Sequence, residues 1–366
     1  DRVNARGCAI DVDGDVPGIS SVAAPIVDHR GITVAAIGLS GSSQRLTRDA
    51  LHRLGPSVIE ATRLASLKAG GAPRPVSSAL MPSALPKPKF AVLAEVENLI
   101  GESPVYSLDG ASIYWVDICK PSIFAFQLIS SEISIFPQEE MVTAISDTEQ
   151  GLLAATQSGI KLIDLTAGQV HKTICDPEAD LPTNRYNDGK CDSMGRFWVG
   201  SLAFNLEKGA GSLYRIDLNG KPRMMETGLT LPNGLGWSAD NRTMYLIDTA
   251  DRVVYAYNFD QKNGQIEDRV ELIKFDGNFV GSPDGMDVDE DGNLWIAMWD
   301  GWCVRKYSPT GELLAEFSVP FPRPTSCLCA SDGSRRVIVT SARIRVTQDL
   351  LQKHPLAGSV ISIPMP

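Results

Sequence analysis

The 366-residue sequence has no clustered positive charge: no basic run exceeds a few residues, and the formal net charge is −10. A nucleic-acid surface needs grouped Lys and Arg to displace phosphate counterions, so that class of partner is excluded. No apolar stretch approaches the roughly 18 residues of a membrane span, and no secretory leader is read at the start, so no membrane partner is expected. Paired cysteines are missing too. The seven Cys, at 8, 119, 175, 191, 303, 327 and 329, are odd in number, scattered and without a CxxC. In a chain this long that is the usage of reduced cytosolic thiols, so the expected location is cytoplasmic. Cys327 and Cys329 alternate along one strand face and are expected in the core. Histidine is scarce: His29, His52, His171 and His354 share no metal-ligand spacing.

Glycine and proline, by contrast, are abundant, with 32 and 23 residues, which favours a turn-rich β architecture over a helix bundle. Residues 1–70 differ from the rest. SSVAAPIVD (20–28) and ITVAAIGLSG (32–41) read as two strands joined by a turn at Asp28–Gly31. From Thr47, a plausible N-cap, Leu51, Leu54, Val58, Ala61, Leu64 and Leu67 recur at helical spacing, with Asp49 suited to the first turn. Gly70-Gly71 end that helix. A proline-rich stretch through 71–89 then reads as a semi-rigid linker.

From Phe90 onward short strands recur around turns at Gly110, Gly151, Gly195, Asn241, Gly292 and Gly333, spaced 41, 44, 46, 51 and 41 residues apart. Such spacing fits four-stranded propeller blades of about 40–45 residues. The expected fold is an all-β six-bladed β-propeller over 90–366, with a small N-terminal α/β segment. The strand GSVISIP (358–364) should pair with one near AVLAEV (91–96) to remove the open edges. In DGMDVD (284–289), period-two alternation puts Met286 and Val288 on the face of Asp284, so the strand is expected to bury these two apolar side chains while Asp284 opens onto the channel mouth.

Counting back eight positions from each turn gives Glu102, Thr143, Asn187, Asn233, Asp284 and Thr325, every one with a side-chain oxygen. If the repeats are equivalent in space, these side chains form a ring. One reading is a set of strand-initiating residues that satisfy backbone ends. The other is an oxygen-donor site for a hard divalent cation (Ca²⁺, Mg²⁺ or Mn²⁺, with Zn²⁺ admissible), since two buried carboxylates would repel without a cation between them. Aromatic residues near these positions, Tyr106, Trp115, Trp198, Trp237, Trp295 and Trp299, mostly fall inside strands and are expected to pack between blades.

Two resemblances sharpen this reading. RGCAIDVDG (6–14), PGISSVAAPIVDHRG (17–31) and SGSSQRLT (40–47) resemble the C-terminal part of an IclR-type effector-binding domain, which implies a partial regulator domain without its DNA-binding helices. Residues 90–366 resemble the gluconolactonase / senescence-marker-protein / regucalcin family through GESPVYSLDGASIYWVDI (101–118), NRYNDGKCDSMGRFWVGSL (184–202), LPNGLGWSADNRTMYLID (231–248), SPDGMDVDEDGNLWIAMWDG (282–301) and PTSC (324–327). That resemblance implies a six-bladed propeller with one divalent metal ion that hydrolyses sugar lactones. It assigns Glu102, Asn233 and Asp284 as metal ligands, Asp284 also as the catalytic base, and Arg185 and Asn187 as substrate-binding residues. Some relatives carry a substrate-facing acid shortly after GSL; here Asn205 takes that place, with Glu207 two residues on. Asp188 reads as a turn or outer residue beside Asn187. The competing functional classes are a non-enzymatic metal-binding or effector-sensing propeller and a related esterase on the same scaffold.

Overall fold

Five of the six turn residues that set the repeat have left-handed backbone: Gly110 (φ 68°), Gly151 (120°), Gly195 (79°), Asn241 (55°) and Gly292 (82°). Glycine adopts this region freely and Asn tolerates it, so the residue types that punctuate the sequence are those the turns require. Gly333 lies outside the described residues. The computed structural model describes residues 8–12, 17–27, 33–48, 50–51, 54–55, 58–59, 61–62, 90–166, 169–275, 279–330 and 334–365. The turn expected at 28–31, Asp49 and the proline-rich linker fall outside them.

The chain divides into two compact units, Asp1–Lys87 and Pro88–Pro366. In the first, strands Ala9–Val12, Ile19–Val27 and Thr33–Ser42 form a three-stranded antiparallel sheet. The described residues from Arg48 to Thr62 are helical. Thr47 caps this segment as expected, its Oγ1 accepting from the Ala50 N–H at 3.3 Å. Leu51 and Val58 bury the apolar stripe against Cys8, Val22 and Ala24.

The second unit holds six four-stranded antiparallel sheets. We number them by first strand: Gly101–Tyr106 (I), Val142–Thr148 (II), Asn184–Cys191 (III), Pro232–Trp237 (IV), Ser282–Val288 (V) and Pro324–Cys329 (VI). Each continues outward through the next strands in the chain. Sheet VI is completed differently: its third strand, Val360–Pro364, pairs with Ala91–Ala94, the pairing expected from the sequence. The first strands touch in the order I to VI, and VI touches I.

The cores follow the same cycle, because each sheet buries both faces against its neighbours. Ile123 and Leu152 pack between sheets I and II, Phe197 and Ile160 between II and III, and Leu235 and Leu246 between III and IV. Met286 and Ile296 join V to IV, Trp295 and Val339 join V to VI, and Trp115 and Ile338 join VI to I. Cys327 is buried in the V–VI layer with Cys329 packed beside it, as expected. Trp115, Trp198 and Trp295 are fully enclosed, and their indole N–H groups donate to Asn98, Asp192 and Asp289 at 2.9–3.0 Å. These three rings are packing residues whose single polar atom is satisfied.

Candidate functional site

The six residues of the shared sequence position all lie on a first strand, five of them at its second or third residue and Asn187 at the fourth of Asn184–Cys191, and all are buried. Each first strand also breaks its pairing there. The ladder with the second strand shifts between Glu102 and Val105, at Thr143, between Tyr186 and Gly189, between Pro232 and Leu235, between Pro283 and Met286, and between Pro324 and Cys327. A bulge leaves residues unpaired and re-aims their side chains, which is why bulges cluster beside functional sites. At Ser103 the backbone is left-handed (φ 50°), unusual for a residue with a Cβ.

Hydrogen bonds then run from sheet to sheet around the ring. Thr143 Oγ1 donates to the Asn187 carbonyl at 2.8 Å. Asn187 Nδ2 donates to the Pro232 carbonyl (2.8 Å) and to Asn233 Oδ1 (3.0 Å). Asn233 Nδ2 donates to Thr249 Oγ1 (2.9 Å), which donates to the Pro283 carbonyl (2.7 Å), one residue before Asp284. Thr325 donates to the Gly101 carbonyl, one residue before Glu102, and Ser103 Oγ accepts from the Ile145 N–H at 2.9 Å. Neighbouring first strands approach so closely that a Cβ at Gly234 would sit 2.4 Å from the Met286 nitrogen, and one at Gly285 would sit 2.2 Å from Ser326 Oγ.

Three carboxylates converge here. Burial pushes the Glu102 carboxyl well above the usual range, and the charges of Asp284 and Asp188 push it further. Burial likewise raises Asp284, with Asp188 adding to it and a hydrogen bond from Asn233 opposing. Asp188 is raised to about 6 by burial, against the pull of Lys190 and of the Gly189 N–H. Arg185 is lowered by burial; it donates to the Tyr186 carbonyl (2.8 Å) and to Asn187 Oδ1 (2.9 Å) and feels the charge of Glu102. Carboxyl groups gathered away from water repel one another when ionised, and a nearby positive charge favours their ionised forms.

The donor set fits a hard divalent ion. Glu102 accepts one hydrogen bond, from the Ser103 N–H to Oε2 at 2.8 Å, and its remaining acceptor capacity, the Asp284 carboxylate and the Asn233 amide oxygen are all oxygen donors. Among the described residues no group of three or more His, Cys, Asp or Glu has metal-holding geometry, so a cation here would rest on two carboxylates and an amide.

Asn205 sits apart from this cluster. It lies on an exposed turn after strand Phe197–Ala203, and its Oδ1 accepts from the Glu207 N–H at 3.1 Å. That turn adjoins the Arg185 end of sheet III, since the Phe204 N–H donates to the Thr183 carbonyl. Met286 packs in the IV–V core with Val288 against it, the burial expected from the sequence. The bulge at Asp284–Gly285 offsets the strict alternation that put them on the face of Asp284, and Asp287 meets Lys190. Of the two readings of Asp188, a turn residue or one lying just outside the ligands, its burial beside Glu102 and Asp284 favours the second. The available signal was the doublet of small or polar residues at each bulge, such as Asn187-Asp188 and Thr325-Ser326.

No helix among the described residues is long and apolar enough to cross a membrane. Residues 1–67 match the bacterial transcriptional regulator IclR C-terminal family. Across 266 residues the chain is 31% identical to a 6-deoxy-6-sulfogluconolactonase of Pseudomonas putida, covering 72% of this chain and 91% of that protein. It is 31% identical over 280 residues to an L-arabinolactonase of Azospirillum brasilense, covering 75% and 91%. Among solved structures it is similar to the calcium-binding protein regucalcin from Agrobacterium tumefaciens, with a TM-score of 0.72 and 28% identity over 75% of this chain and 94% of that one. Residues 100–343 match the SMP-30/Gluconolactonase/LRE-like region, and the chain belongs to that family.

Proposed function

We propose that the second unit is a six-bladed β-propeller that holds one divalent cation on Glu102, Asn233 and Asp284 and opens a sugar lactone to its aldonic acid. The cyclic contact of the first strands and the six inter-sheet cores support the propeller. The observation that carries the site is the convergence of two buried, mutually repelling carboxylates with an amide oxygen on a bulged ring. The lactonases among the relatives support the substrate class. When bound, a divalent cation supplies Lewis-acid polarisation of a carbonyl and acidifies water.

The remaining work falls to this chain's own side chains. Asp284 lies among the acids with its carboxyl raised by burial, which makes its carboxylate a stronger base, and in that ionised form it would accept the proton of an attacking water. Asn187 Oδ1 holds the Arg185 guanidinium at 2.9 Å, so Arg185 presents its remaining N–H groups from a fixed position to a sugar hydroxyl or the carbonyl oxygen. Asn187, whose two amide N–H groups are spent within the ring, offers the spare acceptor capacity of Oδ1 to a sugar hydroxyl. Asn205, on the neighbouring exposed turn, is placed to contact the sugar rather than the reacting bond. Thr143 and Thr325 spend their hydroxyls on backbone carbonyls and hold the ring's shape. Residues 1–70 are read as a partial IclR-type segment without regulatory activity of its own, joined by the 71–89 linker. The site is tested with a panel of sugar lactones in a pH-indicator assay. Hydrolysis of at least one above background is expected, and failure on all of them in cation-loaded protein refutes the activity.

A further inference from the structure

Next to the three carboxylates lies a charged contact that the proposed chemistry leaves unused. Lys190 is two residues beyond Asp188 on the first strand of sheet III. Its Nζ donates to Asp287 Oδ1 at 2.8 Å and to the Met286 carbonyl at 3.2 Å, both on the first strand of sheet V. In the contact order of first strands, sheet IV lies between them. The other oxygen of Asp287 accepts from the Cys329 N–H of sheet VI at 2.8 Å. One ion pair, 26% and 18% exposed at its two ends, therefore ties three of the six sheets together.

We propose that Lys190 is a positioning residue: by spanning to Asp287 and the Met286 carbonyl, it fixes the separation between the strand carrying Asn187 and Asp188 and the strand carrying Asp284. The proposal rests on reading Glu102, Asn233 and Asp284 as cation ligands. Two features of this region make such a tie necessary. Both strands are bulged, so their ladders hold these residues less firmly than regular pairing would. The strands also carry like charges that push them apart. A cation site tolerates only about 0.2 Å in ligand distance, so where the sheet V strand holds Asp284 matters to it, and Lys190 grips that strand two and three residues beyond Asp284. A purely structural ion pair predicts otherwise, because replacing a buried pair with apolar side chains of similar size is often neutral or stabilising.

The test uses the full chain carrying Lys190→Met together with Asp287→Met, which removes one charge of each sign and leaves net charge unchanged. Calorimetric titration with Ca²⁺ and with Mn²⁺ reads the site independently of turnover. Kinetics on glucono-δ-lactone then separate kcat from KM. The expected result is a folded protein whose cation affinity drops about 10- to 100-fold, the usual cost of losing a partner behind a metal site, with kcat falling more than KM rises. Lys190→Arg, which can still reach Asp287, should restore most of the lost affinity. If the double variant does not fold, Asp287→Asn is read by the same criteria. Wild-type cation affinity and kcat in a variant lacking the ion pair would overturn the proposal. So would a wild-type protein that binds no divalent cation, which removes the site reading as well. A wild type that binds the cation yet opens no lactone sinks only the lactonase reading, and the affinity comparison still decides the role of Lys190.

Discussion

Raising the pH of the cation-stripped protein from about 4 to about 7 should cost it stability, the reverse of the usual behaviour of acidic residues. The fold raises the carboxyl of Asp188 from 3.8 to about 6, so the folded state holds a proton that the unfolded chain has already released. Its contribution is therefore fully present below about pH 4 and is lost as pH rises through about 6. A shift of about two units at ~1.4 kcal/mol per unit amounts to roughly 3 kcal/mol. Glu102 and Asp284 are raised as well and act in the same direction. A divalent cation requires these groups ionised, so its stabilisation should grow with pH. At a hundredfold excess over Kd it adds ~2.7 kcal/mol, enough to offset most of the Asp188 loss. The assay is urea unfolding at several pH values, in chelator and in excess Ca²⁺, for the wild type and Asp188→Asn. The variant in chelator should show a shallower slope between pH 4 and 6, the remainder belonging to Glu102 and Asp284, and be more stable than wild type near neutrality. Stability in chelator that stays flat or rises with pH, or an Asn variant no more stable than wild type at pH 7, would refute the reasoning.

Glu102→Ala and Asp284→Ala should each abolish divalent-cation binding in calorimetry. Asn187→Ala should keep the ion and change KM or kcat instead, because its side chain holds Arg185 and Asn233; full cation occupancy in the Asp284 variant would overturn the ligand assignment. Gly285→Ala should destabilise the protein by roughly 1–3 kcal/mol in thermal melts, since its new Cβ would overlap the Ser326 side chain at 2.2 Å and force the first strands of V and VI apart.

The repeat was legible because it is written in residues with special backbone needs. Gly110, Gly151, Gly195, Asn241 and Gly292 mark left-handed turns, and the polar ring position keeps a constant distance ahead of them although the first strands vary from six to eight residues. The closing partnership of Val360–Pro364 with Ala91–Ala94 was legible from architecture, since a ring of sheets leaves those two strands as the remaining partners. The bulges were not legible. Period-two reading assumes an unbroken pleat: it gives the burial of Met286 and Val288 correctly, but not the extra residue at Asp284–Gly285 that breaks their shared parity with Asp284. Lys190 and Asp287 lie 97 residues apart, and nothing local to either position signals the pair. Asp188 was legible only as a choice between a turn residue and one just outside the ligands, because what decides it is the set of neighbours across the ring.

The most direct measurement is the rate of lactone opening as chelator-stripped protein is titrated with a divalent cation. Glu102, Asn233 and Asp284 as one shared site predict negligible activity at zero ion, a rise that saturates near one equivalent per chain, and no rise in Asp284→Ala. Full activity in the stripped protein, or saturation that survives the loss of Asp284, would contradict the account.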